Sequence, residues 1–246
     1  PNYEIENDEN WKQGRTAYGG LTASLLHEAI VNSYTDLPPL RTVQINFVGP
    51  TDGKLQISHK MLRRGKNNVT FEAHLDSDAG PGTYGYFTFG ISRQMTQEID
   101  YPKHPLSVKP QMGKKLIPHD AAPNFLTNFD RIHATGPELL SGSDNPDITV
   151  WSRHVDPYSH EGVTALIALT DAPPAALTAL TQLNALSSMN WNINMLSDNP
   201  TTENGWFLLR TATKYIRHGY SSQEMQVWNN DGDRIMDCIQ HIAIFT

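Results

Sequence analysis

The chain of 246 residues has a single cysteine, Cys238, so no internal disulfide framework can staple it. That scarcity fits a reducing compartment, and a cytoplasmic location is the expectation. No apolar run approaches the roughly 20 residues that a bilayer-crossing helix needs. The opening stretch, PNYEIENDENWKQGR, is polar and acidic, unlike a secretory signal. Positive charge is also sparse. With 19 Lys and Arg against 26 Asp and Glu, the net charge is −7. That balance argues against nucleic acid as a main partner, because neutralising phosphates needs a basic surface. There is no Gly-x-Ser-x-Gly elbow and no phosphate-cradling Walker loop. GPGTYG, at Gly80–Gly85, matches a dinucleotide fingerprint by letter, but a strand pattern follows it where a helix is required. His154, Asp156 and His160 crowd together in HVDPYSH and read as a polar loop. The histidines show no zinc spacing, so neither a metal nor a cofactor is expected.

What is present is a repeat. At 38% hydrophobic and 18% charged, the chain can bury a large core as one domain or two halves. GGLTASLLHEAIVNSY, residues 19–34, places Leu21, Leu25, Leu26, Ala29 and Ile30 on one helical face. Four strand-like runs follow, LRTVQINFVG, GKLQISHKMLRRG, NNVTFEAHLDS and GTYGYFTFGIS, parted by turn residues. The second half repeats the order with LSSMNWNINML, GWFLLRTATKYIRHG, YSSQEMQVWNN and DRIMDCIQHIAIFT. A basic-Gly turn joins the second and third strands of each half, at Arg63–Gly65 and Arg217–Gly219. These features predict an α+β fold of two helix-plus-meander units, each sheet wrapping its helix and the two sheets joined edge to edge. The divisions are a first repeat at 1–95, a Pro- and Gly-rich connection at 96–146 anchored by NFLTNFDRI, and a second repeat at 147–246. Each unit leaves outer sheet edges or faces that a homodimer or larger homo-oligomer would cover.

ALTDAPPAALTAL, at Ala168–Leu180, interrupts the apolar run VTALIAL with an aspartate and two prolines. Asp suits a helix N-cap and Pro the first turn, so Asp171 is expected to start the second helix, preceded by a strand in DITVWSRHVDP, alone or together with EGVTALIAL. The same position beside the core could instead carry tuned acid–base chemistry. Setting a helix start at 171 against the one at 19 pairs Asp171 with Gly19 across the repeat. That pairing, and the lack of glutamine in YGYFTFGIS, predicts one active site rather than two. Cys238, within RIMDCIQHIAIF, reads as a small core residue.

The motifs GRTAYGG, LTDAPP, ALSSMNW and CIQHIAIF, in that order, resemble those of the double-hotdog acyl-CoA thioesterases, in particular the TesB-like or thioesterase II branch. The resemblance runs from about residue 14 to 245. It implies a double hotdog, an acyl-CoA substrate and hydrolysis without a covalent intermediate. It also implies that Asp171, the hydroxyl of Ser188 (or Ser187 one position away) and Gln240 hold the attacking water, with Gly20 as backbone oxyanion donor. Where the best-known members carry Thr, this chain has Ser. Arg63, Arg64, Lys66, Lys214, Arg217 and His218 surround the two equivalent turns, as solvated charge or as contacts to coenzyme A phosphates. A non-catalytic acyl-binding shell is the competing expectation. A hotdog hydratase would want an Asp/His pair, and LTDAPPAAL has no His.

Overall fold

In a computed structural model of the chain, residues 2–99, 103–104, 109–118, 122–171 and 174–246 are described. The first unit runs β1 (Asn2–Glu6), the two-residue pair β2 (Lys12–Gln13) and β3 (Thr16–Ala17), α1 (Gly19–Ser33), β4 (Leu40–Phe47), β5 (Lys54–Arg64), β6 (Asn68–Ser77) and β7 (Gly80–Gly90). The second contains β8 (Lys114–Lys115), β9 (Phe129–Thr135), β10 (Asp147–His154), α2 (Val163–Thr170), α3 (Ala176–Ala179), β11 (Ala185–Met195), β12 (Phe207–Arg217), β13 (Tyr220–Trp228) and β14 (Arg234–Phe245). The expected strands form where the period-two alternation lies. In β6, for example, Val69, Phe71, Ala73 and Leu75 face inward and the residues between them face out.

One antiparallel sheet of twelve strands holds both units, in the order β1-β5-β6-β7-β4-β11-β14-β13-β12-β10-β9-β8. The seam is β4 against β11, where Val43 lies opposite Ile193 and Ile45 opposite Trp191. Thr42 Oγ1 reinforces it with a 2.9 Å bond to the Ile193 carbonyl. The order on one side of the seam mirrors that on the other, and β1 takes the place of β10. Both helices lie within the curl of the sheet. They pack on each other antiparallel, so that the first residues of α1 meet the last of α2. α1 is buried on most of its circumference, at Thr22, Ala23, Leu26, His27, Ala29 and Ile30 among others, while Leu21 and Leu25 are half-buried against the same core.

Two expectations are overturned here. Asp171 does not start a helix. It caps the C-terminal end of α2, Val163–Thr170, which takes up the apolar run VTALIAL; of the two segments offered for the preceding strand, DITVWSRH is the strand, β10, and VTALIAL is helix. A short, mostly apolar segment buried over its last five residues carries too little periodicity to tell helix from strand, and Ala and Leu favour the helix once it packs on α1. Pro174 precedes the single turn of α3, and Ala172 and Pro173 lie outside the described residues. The 96–146 segment is also more than a connection. Phe129–Thr135 pairs with β10 along its length, and Lys114–Lys115 pairs with β9, extending the second half of the sheet.

Candidate active site

Tyr18, immediately before α1, is fully buried, with its ring stacked 3.9 Å from that of Phe125. Its hydroxyl donates to the backbone carbonyl of Asp171 at 2.5 Å. This fixes the chain leaving α2 against the tip of α1. The two glycines that follow are required by close approach. A Cβ on Gly19 would lie 2.8 Å from Asp171 Oδ2, and one on Gly20 would lie 2.7 Å from the Ala168 carbonyl oxygen. Asp171 is thus presented at the junction of the two helices.

Gln240, on β14, donates from Nε2 to Asp171 Oδ1 at 2.8 Å and to Ser188 Oγ, on β11, at 3.1 Å. Its orientation is set from behind. The Ala175 backbone N–H can only donate, and it donates to Gln223 Oε1 at 3.1 Å. Gln223 Nε2 then donates to Gln240 Oε1 at 2.7 Å. Each amide is polarised in one direction. Both Gln240 protons are therefore spent on Asp171 and Ser188, and the Ser188 hydroxyl accepts one and keeps its own proton to donate. Ser187 points away, exposed, with only a 3.4 Å contact to the Ser188 carbonyl.

Burial raises the Asp171 carboxyl from its ordinary 3.8 to about 6, held from rising further by the Gln240 amide and the Gly20 N–H facing it. The four residues implied by the resemblance, Asp171, Ser188, Gln240 and Gly20, therefore meet at one place. Tyr18 and Gln223 were not anticipated. Gln223 lies directly opposite Gln240 in the β13–β14 register, so a second glutamine at a buried phase of the adjoining strand was the available signal. Gln223→Leu is expected to cost about 2–6 kcal/mol in urea unfolding, because the Ala175 N–H and Gln240 Oε1 lose buried partners at roughly 1–3 kcal/mol each. It should also lower kcat more than it changes KM, as Gln240 becomes free to flip.

The mirror-related position is not Gly19. Since α2 begins at Val163 and α1 at Gly19, Asp171 corresponds to His27. The bulge after Ser188 in β11 has its counterpart after Leu40 in β4. Counting from that bulge, Gln240 corresponds to Phe87 and Gln223 to Phe71, which face each other across β6 and β7. His27 is buried beside Phe87 and Phe89, and its Nδ1 lies 2.8 Å from Thr164 Oγ1. Burial lowers its pKa to about 4, so it is a neutral core histidine. His27 and Asp171 lie at opposite ends of the helix pair and form no hydratase-like couple. The HVDPYSH histidines are tied to backbone, His154 Nε2 to the Ala165 carbonyl and His160 Nε2 to the His154 carbonyl. No cluster suited to a metal ion occurs among the described residues. Cys238 is buried and its thiol is pushed well up.

Comparison with known families bears on this geometry. The acyl-CoA thioesterase N-terminal domain matches residues 7–90, and the acyl-CoA thioesterase C-terminal domain matches residues 102–244. The chain belongs to the acyl-CoA thioesterase family. Its double hotdog is that of TesB proteins. A hotdog-fold protein from Alicyclobacillus acidocaldarius superposes with a TM-score of 0.87 at 18% identity, covering 100% of this chain and 93% of that one. A tesB protein from Mycobacterium avium subsp. paratuberculosis gives 0.79 at 12%, covering 100% and 93%. Acyl-CoA thioesterase II TesB2 from Mycobacterium marinum gives 0.74 at 14%, covering 99% and 93%. No curated protein matches in sequence. No helix of this acyl-CoA thioesterase, among the described residues, is long and apolar enough to cross a membrane.

Proposed function

We propose that this thioesterase hydrolyses acyl-CoA to coenzyme A and a carboxylic acid with a water held by Asp171 and Ser188, which Gln240 keeps in register. The observation that carries the reading is the Gln240 amide, donating at once to a buried carboxylate and to a hydroxyl beside the tip of the opposing helix. A water there gives one proton to Asp171 and accepts the Ser188 O–H on one lone pair, and its other lone pair is directed at the thioester carbon. The Gly20 N–H faces the Asp171 carboxylate, and a thioester oxygen seated at the α1 tip takes that donor over. Asp171 loses a hydrogen bond that restrained its basicity at the moment it must act as base, and the developing oxyanion gains a preorganised donor at a positive helix end. Collapse breaks the C–S bond, and the departing thiolate takes the proton back from Asp171.

A chain-length panel of acyl-CoAs with a thiol reagent tests this. Release of free coenzyme A is expected, and binding without turnover would favour a non-catalytic shell. The first basic turn is not expected to contribute. Arg64 makes a two-pronged ion pair with Asp36 beyond the C-terminal end of α1, and the site lies at its N-terminal end, about 22 Å of helix away. Arg64→Ala should leave the KM for acyl-CoA unchanged within about twofold, since an exposed pair contributes little. The second turn lies nearer, since Ile216 beside it packs with Ala176 and Ile242, and Ile242 pairs with Ser188.

A further inference from the structure

A narrow buried pocket of about 20 Å³ lies beside Asp171 under the inner face of the last strands of the sheet, so an acyl group entering it has to push lining side chains apart. Its wall carries Ile148, Val150 and Ser152 at alternate positions of β10, with Leu209 opposite Val150 and Thr211 opposite Ile148 on β12. Arg131 lies opposite Ser152 on β9 and completes the face. Phe129, two positions before Arg131 on β9, extends the same face, and Tyr18 and Leu169 also line the pocket. Arg131 is only 6% exposed, yet its Nε has no hydrogen-bond partner and its guanidinium forms no ion pair among the described residues. Ser152 is 3% exposed and Thr211 2%. Neither hydroxyl bonds another described residue. The one carboxylate lining the pocket, Asp171, is engaged by Gln240 and does not pair with Arg131.

A buried guanidinium without a counter-charge is costly, because desolvation is repaid only by a well-placed anion. The planar donor fork of arginine matches a carboxylate in two-pronged fashion, and two adjacent hydroxyls add donors of the same kind. The nucleotide half of coenzyme A cannot follow into a pocket closed by buried side chains, so an anion reaching Arg131 has to be borne on the acyl group. We infer that this pocket, widened as the acyl group enters, selects short acyl groups that end in a carboxylate, that is, dicarboxylyl-CoA thioesters, with Arg131 as the specificity-determining residue and Ser152 and Thr211 beside it. This rests on the hydrolase reading for the direction of the substrate, and the test separates the two.

The wild-type protein is compared on carbon-matched pairs, succinyl- against butyryl-CoA, glutaryl- against valeryl-CoA and adipyl- against hexanoyl-CoA. The dicarboxylyl member should show at least tenfold higher kcat/KM in one or more pairs. Arg131→Gln should reduce that ratio at least tenfold, and Arg131→Lys should recover part of it. Equal or reversed preference in every wild-type pair overturns the inference whether or not the variants fold, and so does a preference that Arg131→Gln leaves intact. Dissociation constants of the same pairs on Asp171→Asn keep the two readings apart. Turnover without the preference sinks the acyl selectivity and leaves the hydrolase. Arg131-dependent tighter binding of dicarboxylyl-CoA with no turnover by wild type sinks the hydrolase and leaves the selectivity.

Discussion

Asp171→Asn is expected to lower acyl-CoA hydrolysis by on the order of 10²–10⁴-fold while making the protein more stable above pH 6. On the proposed mechanism the activity loss follows from removing the proton acceptor; an amide oxygen can still take the Gln240 hydrogen bond, so the network stays in register. The stability gain follows from burial. The folded carboxyl has a pKa of about 6 against an ordinary 3.8. Between those values the folded state holds a proton that the unfolded chain releases, so raising the pH through this window destabilises the fold. The loss is complete above the folded pKa and amounts to about 3 kcal/mol. The asparagine variant has no such group. Its melting temperature should therefore equal that of the wild type near pH 4 and exceed it at pH 7–8. A gain that is the same at all pH values would show that the carboxylate is not the strained group. In the wild type, kcat/KM should rise with pH to a plateau above about pH 6. The apparent pKa in kcat should be the higher of the two, because bound thioester removes the Gly20 N–H from the carboxylate.

Gly20→Ala is the second large effect, and its sign runs against helix propensity. Inside a helix, Ala is ordinarily favoured over Gly by about 1 kcal/mol. Here the added methyl would meet the Ala168 carbonyl oxygen at 2.7 Å and the Tyr18 ring at 2.6 Å. Neither can yield. One is helix backbone, and the other is a fully buried ring bonded through its hydroxyl to the Asp171 carbonyl. The helices must part, at a cost of about 1–3 kcal/mol for overpacking. Asp171 would then move from the α1 tip. Denaturant unfolding should show the loss of stability, and kcat should fall further than the stability change explains, because the N–H and the carboxylate would no longer share one place.

The strands and α1 were legible because each has a face. In β6, β7, β13 and β14 every second residue points inward, and the turns between them carry Gly or Asn. α2 was illegible for the opposite reason. With six apolar residues and only Thr164 and Thr170 beside them, it offered too little phase, and Asp-Ala-Pro-Pro imitated a helix start where the chain was in fact leaving one. β9 was hidden because only Phe129 and Arg131 of FDRIHAT are buried, one of them an arginine. Family likeness pointed to Asp171, Ser188, Gln240 and Gly20. It did not point to Tyr18, Gln223 or Arg131, whose roles arise from contacts across 153 residues of chain for Tyr18–Asp171 and across strand pairs for the others.

The station built of His27, Leu40, Phe71 and Phe87 says something about inheritance. In a pair of identical chains related by a two-fold axis, every substitution appears twice, so neither copy of a site can drift without the other. Joining both copies in one polypeptide lifts that constraint. One station could then be given over to greasy filler that strengthens the interior. On the proposed mechanism the other, drawing its helix tip from the partner repeat, keeps both repeats under selection even though only one of them carries the carboxylate.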